Sequence, residues 1–105
     1  MTDDSKLKIC DNRGFHITFD NGVTVSVQFG YSNYCSNRDL DKSIETQGKP
    51  NTPQTSNTAE IAIWDSDDNW ITQQFKDEGD TVLGWQTPED ILEAMNWAKN
   101  YKVIE

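Results

Sequence analysis

Between Phe15 and Phe29 the chain reads FHITFDNGVTVSVQF, an alternation of apolar and polar residues broken only by Asp-Asn-Gly. Period two is the signature of strands with one buried face, so strands are predicted over Phe15–Phe19 and Val23–Phe29. The turn then decides which residues face each other. A two-residue loop at Asn21-Gly22 would put Phe19 opposite Thr24 and send the apolar sets to opposite faces. A three-residue loop, Asp20-Asn21-Gly22, instead pairs Phe19 with Val23, Ile17 with Val25 and Phe15 with Val27. The longer loop is favoured because Gly22 can take the left-handed conformation such loops need at their last residue. By the same reasoning a strand over Lys6–Asp11 connects through Asn12-Arg13-Gly14, which puts Ile9 opposite Ile17 and Leu7 opposite Phe19.

Further along, Ala59–Asp65 and Trp70–Phe75 read as a second hairpin, with Ile63 opposite Ile71 and Trp64 opposite Trp70. Thr81–Trp85 is either another strand or an extended lead-in to the clearest helix. Thr87 is the predicted cap of that helix, Pro88 suits its first position and Asp90 completes a capping box, with Glu89, Asp90 and Glu93 at the positive end of the dipole. Ile91, Leu92, Ala94, Met95 and Ala98 form its apolar stripe, and Trp97 and Tyr101 lie one turn apart at the edge. Residues 30–58 are rich in Asn, Ser, Thr, Gln and Pro, with Leu40 and Ile44 as the main core candidates and a short helix placed around Asp39–Gln47. A polar connection this long inside a compact domain is usually functional or disordered. The expected fold is a single α+β domain over residues 1–105, an antiparallel β-meander of about five strands with the C-terminal helix packed on one face.

Charge narrows the partners. The net charge is −9, and residues 59–105 hold eleven acids and three bases, so that segment carries −8 of it. Direct nucleic-acid binding is not expected, since phosphate contacts need a basic footprint. A protein partner with a basic surface fits better. No apolar run approaches the length of a membrane span, and MTDDSKLKIC has acids where a secretory leader needs bases and an apolar run. A cytoplasmic protein is therefore expected, with Cys10 and Cys35 as free thiols.

The candidate chemistry is sparse. Asp65, Asp67 and Asn69 echo the first positions of a calcium loop, but Trp70 stands where Gly belongs and Lys76 where the bidentate Glu belongs, so no metal site is expected. In the register above, Cys10, His16 and Ser26 share one cross-strand row. Cys–His pairs can form a nucleophile, but no orienting acid accompanies this one, and an enzyme is not expected. His16 is the only histidine, which leaves a zinc set incomplete. No cofactor motif is present. Two groups remain as ligand-binding or interface candidates. One is the loop carrying Tyr31, Asn33, Tyr34 and Arg38, together with Cys35 and Asn37, whose residue types suit adaptable recognition and anion reading. That loop faces a ligand or lies over its own sheet to complete the core. The other is the acidic aromatic set Trp64, Asp65, Asp67, Asp68 and Trp70, suited to a protein interface if the indoles are exposed. Trp85 is placed in the core.

Three segments, GFHITFDNGVTVSVQFGYSNYCSNR, AEIAIWDSDDNWIT and VLGWQTPEDILEAMNWA, give the chain a resemblance to a group of small accessory proteins encoded in phages and prophages. The resemblance covers most of the chain outside residues 39–58. It implies bacterial genomic company and, by analogy with small acidic phage proteins, an inhibitor of a host protein such as a defence factor. The alternative expectation is a protein that sequesters a small nucleotide ligand with the Tyr31–Arg38 loop, with a homo-oligomer as one way of completing that site.

Overall fold

The computed structural model describes residues 5–10, 13–30, 32–38 and 55–102. Tyr31, Leu40, Ile44 and the helix expected over Asp39–Gln47 lie outside them. Five antiparallel strands form one sheet in chain order: β1 (Lys6–Cys10), β2 (Gly14–Thr18), β3 (Thr24–Gln28), β4 (Ala59–Trp64) and β5 (Leu83–Gln86). A single helical turn, α1 (Thr72–Phe75), follows β4, and α2 (Pro88–Lys99) follows β5. This is the expected α+β meander with its C-terminal helix.

The β2–β3 hairpin has the predicted register, with Phe15 opposite Val27 and Ile17 opposite Val25. The three-residue loop is closed by Phe19 N–H donating to the Val23 carbonyl at 2.9 Å. The β1–β2 connection differs from expectation by a two-residue slip: Leu7 pairs with Ile17, Ile9 with Phe15 and Cys10 with Gly14. Cys10 and Gly14 are thus the last pair of the ladder, and Gly14 belongs to the strand. Only glycine fits that strand position, because a Cβ on Gly14 would run into the Val27 carbonyl oxygen of β3. A slip of two preserves the faces, so the apolar pattern could not distinguish the two registers.

The second hairpin is cut short. Trp64 and Trp70 form an isolated bridge, and Ile71 N–H donates to the Ile63 carbonyl at 2.8 Å, as the predicted pairing requires. The strand expected to continue to Phe75 turns instead into α1. Thr72 takes over the ladder with its side chain. Its fully buried hydroxyl accepts from Ile63 N–H at 2.9 Å and donates to the Ile63 carbonyl at 3.3 Å.

One face of the sheet carries the core. Val23, Val25, Val27, Ala59, Ile61, Ile63, Ile71 and Leu83 are buried against Ala94 and Ala98 of α2. The capping box of α2 is formed as predicted, with Thr87 Oγ1 accepting from Asp90 N–H and Asp90 accepting from Thr87 N–H at 3.0 Å. At the other end of α2, Asn21 reaches from the β2–β3 turn to donate to the Ala98 and Tyr101 carbonyls at 2.9 and 3.1 Å. That clip satisfies carbonyls that a helix terminus leaves without an intrahelical partner. Leu92, expected in the core stripe, is 60% exposed. The helix packs against β3 and β5, and β1 lies beyond its reach. Leu7 and Ile9 consequently stand 73% and 82% exposed although they point to the core face.

Candidate functional site

The opposite face of the sheet is polar and open. Two cross-strand rows cross it, Lys8–His16–Ser26–Ala62 and Lys6–Thr18–Thr24–Trp64. The small residues Ser26 and Ala62 form its floor, and Thr18 and Thr24 join their hydroxyls at 2.8 Å. The 32–38 loop stands at one end of this face and the 65–70 turn at the other.

The 32–38 loop lies over its own sheet, and most of its polar groups are taken up in holding it there. Buried Asn33 accepts from Gly30 N–H at 2.9 Å and donates to a Glu60 carboxylate oxygen at 3.1 Å. Buried Asn37 donates to the Phe29 and Thr55 carbonyls at 2.8 and 3.0 Å. The buried Cys35 thiol points at the Gly30 carbonyl. Trp85 N–H donates to the Tyr34 carbonyl at 2.8 Å, and Gly84 permits that approach, because a Cβ there would come within 2.8 Å of Tyr34 Cβ.

Three large side chains of this end remain outward. The Arg38 guanidinium lies 4.4 Å over the Tyr34 ring and donates to the Ser32 carbonyl, and Tyr34 stacks on Trp85 with centroids 5.8 Å apart. Trp85, expected in the core, is 56% exposed and takes a left-handed φ of 51°. Left-handed backbone at a bulky residue is uncommon and accompanies the irregular β4–β5 pairing. No periodicity in the sequence signals that twist. Tyr31, the remaining candidate of this group, lies outside the described residues.

At the other end, Asp65 is buried and holds its own turn. Its carboxylate accepts from the Asp67 and Asn69 backbone N–H groups, each at 2.9 Å, and from the Asn69 side chain at 3.2 Å. Desolvation pushes the Asp65 carboxyl pKa up, but the Asn69 and Asp67 hydrogen bonds outweigh it and leave it below the ordinary 3.8. Asp67 and Asp68 are exposed, with Asp68 at a left-handed φ of 63°. Trp64 is half-buried and packs against Trp70 at a centroid distance of 5.4 Å, and Trp70 is 54% exposed. Asp67, Asp68, Trp64 and Trp70 therefore form one continuous tip, with Asp65 beneath it. The calcium-like spacing is used for this turn, and among the described residues no group of three or more Asp, Glu, His or Cys side chains is placed to hold a metal ion.

Between the two ends lies a basic strip that sequence reasoning did not single out. The β1–β2 slip places Lys8, not Cys10, opposite His16. The His16 ring meets Trp64 edge-on at 5.0 Å. Burial, and then the Lys8 ammonium, hold the His16 pKa below the ordinary 6.5. Cys10 shares a neighbouring hollow with His16 but sits opposite Gly14, so the Cys–His–Ser row is not formed. Among the described residues no helix is long and apolar enough to cross a membrane. Comparison with family models, with curated proteins and with solved structures gives no match for this chain.

Proposed function

We propose that the chain is a non-enzymatic binding protein that docks on a basic surface of a protein partner through its acidic, aromatic 64–70 tip and blocks that surface. The observation that carries this reading is Trp70, an indole more than half exposed, braced by Trp64 and flanked by exposed Asp67 and Asp68. Rigid aromatic anchors inside a polar rim are what interface hot spots are made of. The −8 carried by residues 59–105 would speed encounter with a cationic patch. The resemblance to phage-encoded proteins makes a bacterial host protein, and a defence factor in particular, the proposed target, with inhibition in the host cytoplasm as the mode of action.

The test is capture from bacterial lysate by the native chain, compared with Trp70→Ala and with Asp67→Lys/Asp68→Lys. A partner retained only by the native chain and released by salt supports the proposal. Retention insensitive to salt, to the charge reversals and to Trp70→Ala sinks it.

A second reading rests on the outward Arg38–Tyr34–Trp85 stack, where a nucleotide could place its base on an aromatic face, alone or across a homo-oligomer contact. A ligand that binds only the folded state raises its melting temperature, so a thermal-shift panel of nucleotides separates the two readings. A shift abolished by Trp85→Ala supports the second; a flat panel removes it.

A further inference from the structure

An acidic chain has gathered unpaired cations on one strip of its surface. Lys6 and Lys8 project from β1 onto the open face, Arg13 leads into β2, and the only histidine stands directly opposite Lys8. Among the described residues the side chains of Lys6, Lys8 and Arg13 make no hydrogen bond or ion pair. None of the described carboxylates bonds to these cations, although Asp65 and Asp68 line the far end of the trough that Lys6 and Lys8 share with His16. A hollow of ≈ 380 Å³ opens beside them, with Lys8, Arg13, His16, Gln28 and Asn33 in its walls and no carboxylate among its described lining residues. The Asn33 and Gln28 amides are already oriented by bonds to Glu60 and Ser26, so those walls are held in place. Glu60, the acid bonded to Asn33, also accepts from the Tyr34 N–H.

We infer that this hollow between β1, β2 and the 32–38 loop is a binding site for a small phosphate-bearing anion held by Lys8, Arg13 and His16. The Arg13 guanidinium supplies forked donors that match phosphate oxygens, Lys8 supplies a point charge, and His16 supplies a ring N–H. The hollow shares Lys8 and His16 with a second trough of ≈ 600 Å³ that runs to Trp64. A phosphate ester of an aromatic group would thus have a stacking surface within the same face, whereas free phosphate would use the hollow alone. The hollow itself has none of residues 64–70 in its described lining, so binding of inorganic phosphate there and docking through Trp70 can fail separately.

The His16 ring reports on occupancy. It faces Lys8 from β1, Ser26 from β3 and Trp64 from β4, with Asp65 and Asp68 lining the trough it shares toward the 65–70 turn. A bound dianion between Lys8 and His16 favours the imidazolium and raises the His16 pKa from its lowered value.

The experiment is an NMR titration of the full chain at low ionic strength with inorganic phosphate, pyrophosphate and adenosine monophosphate. Expected are saturable shifts at Lys8, Arg13 and His16 and a rise in the His16 pKa. Lys8→Glu and Arg13→Ala should each weaken binding at least about tenfold, the loss of one charge-assisted hydrogen bond. Lys102→Glu, which makes the same charge change on an exposed residue away from the hollow, should leave affinity within about twofold. Tighter binding of adenosine monophosphate, with the increment lost in Trp64→Leu, identifies an aromatic ester as the anion's source. Equal binding of the two monophosphates identifies the free ion. No saturation by roughly 10 mM of any anion overturns the inference, and so does binding that Lys8→Glu and Arg13→Ala leave intact while both variants keep the native amide spectrum.

Discussion

Ile61 and Ile9 point to the same face of one sheet, yet Ile61 is fully buried and Ile9 is 82% exposed. Between them lies the difference between the two halves of the molecule. From β3 to β5 the sheet is covered by α2, the helix is clipped by Asn21, and the ladder is completed by Thr72. At β1, and over part of β2, the same alternation of apolar residues meets no covering element among the described residues. Alternation fixes the face a side chain takes; burial also requires something to lie against it. The covered half holds the fold together, and the open half offers its other face, with its cations, to solvent.

That contrast predicts a graded series. Ile61→Ala should be the most damaging, with about 3–4 kcal/mol lost from transfer and cavity effects, read as a urea midpoint shift at constant slope. Thr72→Val should cost about 2 kcal/mol, because it strips the buried Ile63 N–H of its acceptor at nearly constant volume. If Thr72→Val proved neutral, the side-chain completion of the ladder would not matter to the covered half. Asn21→Ala should cost about 1 kcal/mol by freeing the last carbonyls of α2, and the helix C-terminus should then exchange its amides faster.

Acid should act next, and at both ends of α2's half. The Asp65 and Asp90 carboxyls lie below the ordinary 3.8, Asp65 because hydrogen bonds overcome desolvation and Asp90 because the Thr87 N–H and side chain bond to it. A depressed carboxyl contributes stability above its unfolded value and loses it as pH falls through the folded one. Stability should therefore decline below about pH 4, and less steeply in Asp65→Ala and Asp90→Ala than in the native chain. His16 acts higher in the range. Its pKa is lowered in the fold, so acidification from about 6.5 downward should destabilise the free protein slightly, and Lys8→Ala should shrink that effect. Smallest of all, Ile9→Ala should change stability by under about 0.5 kcal/mol, because little apolar surface is uncovered by it. An Ile9→Ala cost equal to that of Ile61→Ala would abolish the distinction between the halves.

Much of the covered half was legible in the sequence. Period-two runs placed Val23, Val25 and Val27 on one face, the second hairpin set Ile63 opposite Ile71, the Asp20–Gly22 loop set the β2–β3 register, and Thr87, Pro88 and Asp90 located the helix start. The open half was legible only in part. A two-residue slip conserves the pattern, so the sequence could not choose between Cys10 and Lys8 as the partner of His16. Gly14 closes the β1–β2 ladder opposite Cys10 instead of ending the loop, a difference that appears only in the assembled sheet. Trp85 escaped for a similar reason, since its left-handed backbone arises where β5 bulges against β4. Asn33, Asn37 and Asp65 carry residue types that suit ligand recognition, and such side chains serve backbone groups of their own loops equally well.

Residue-resolved amide hydrogen exchange tests the division between the two halves most directly. Val25, Ile61 and Ile63 should exchange only through global unfolding, whereas the β1 amides bonded to β2 should open at markedly lower free energy. Uniform protection across all five strands would contradict the account, because β1 would then belong to the same cooperative core as β3 and β4.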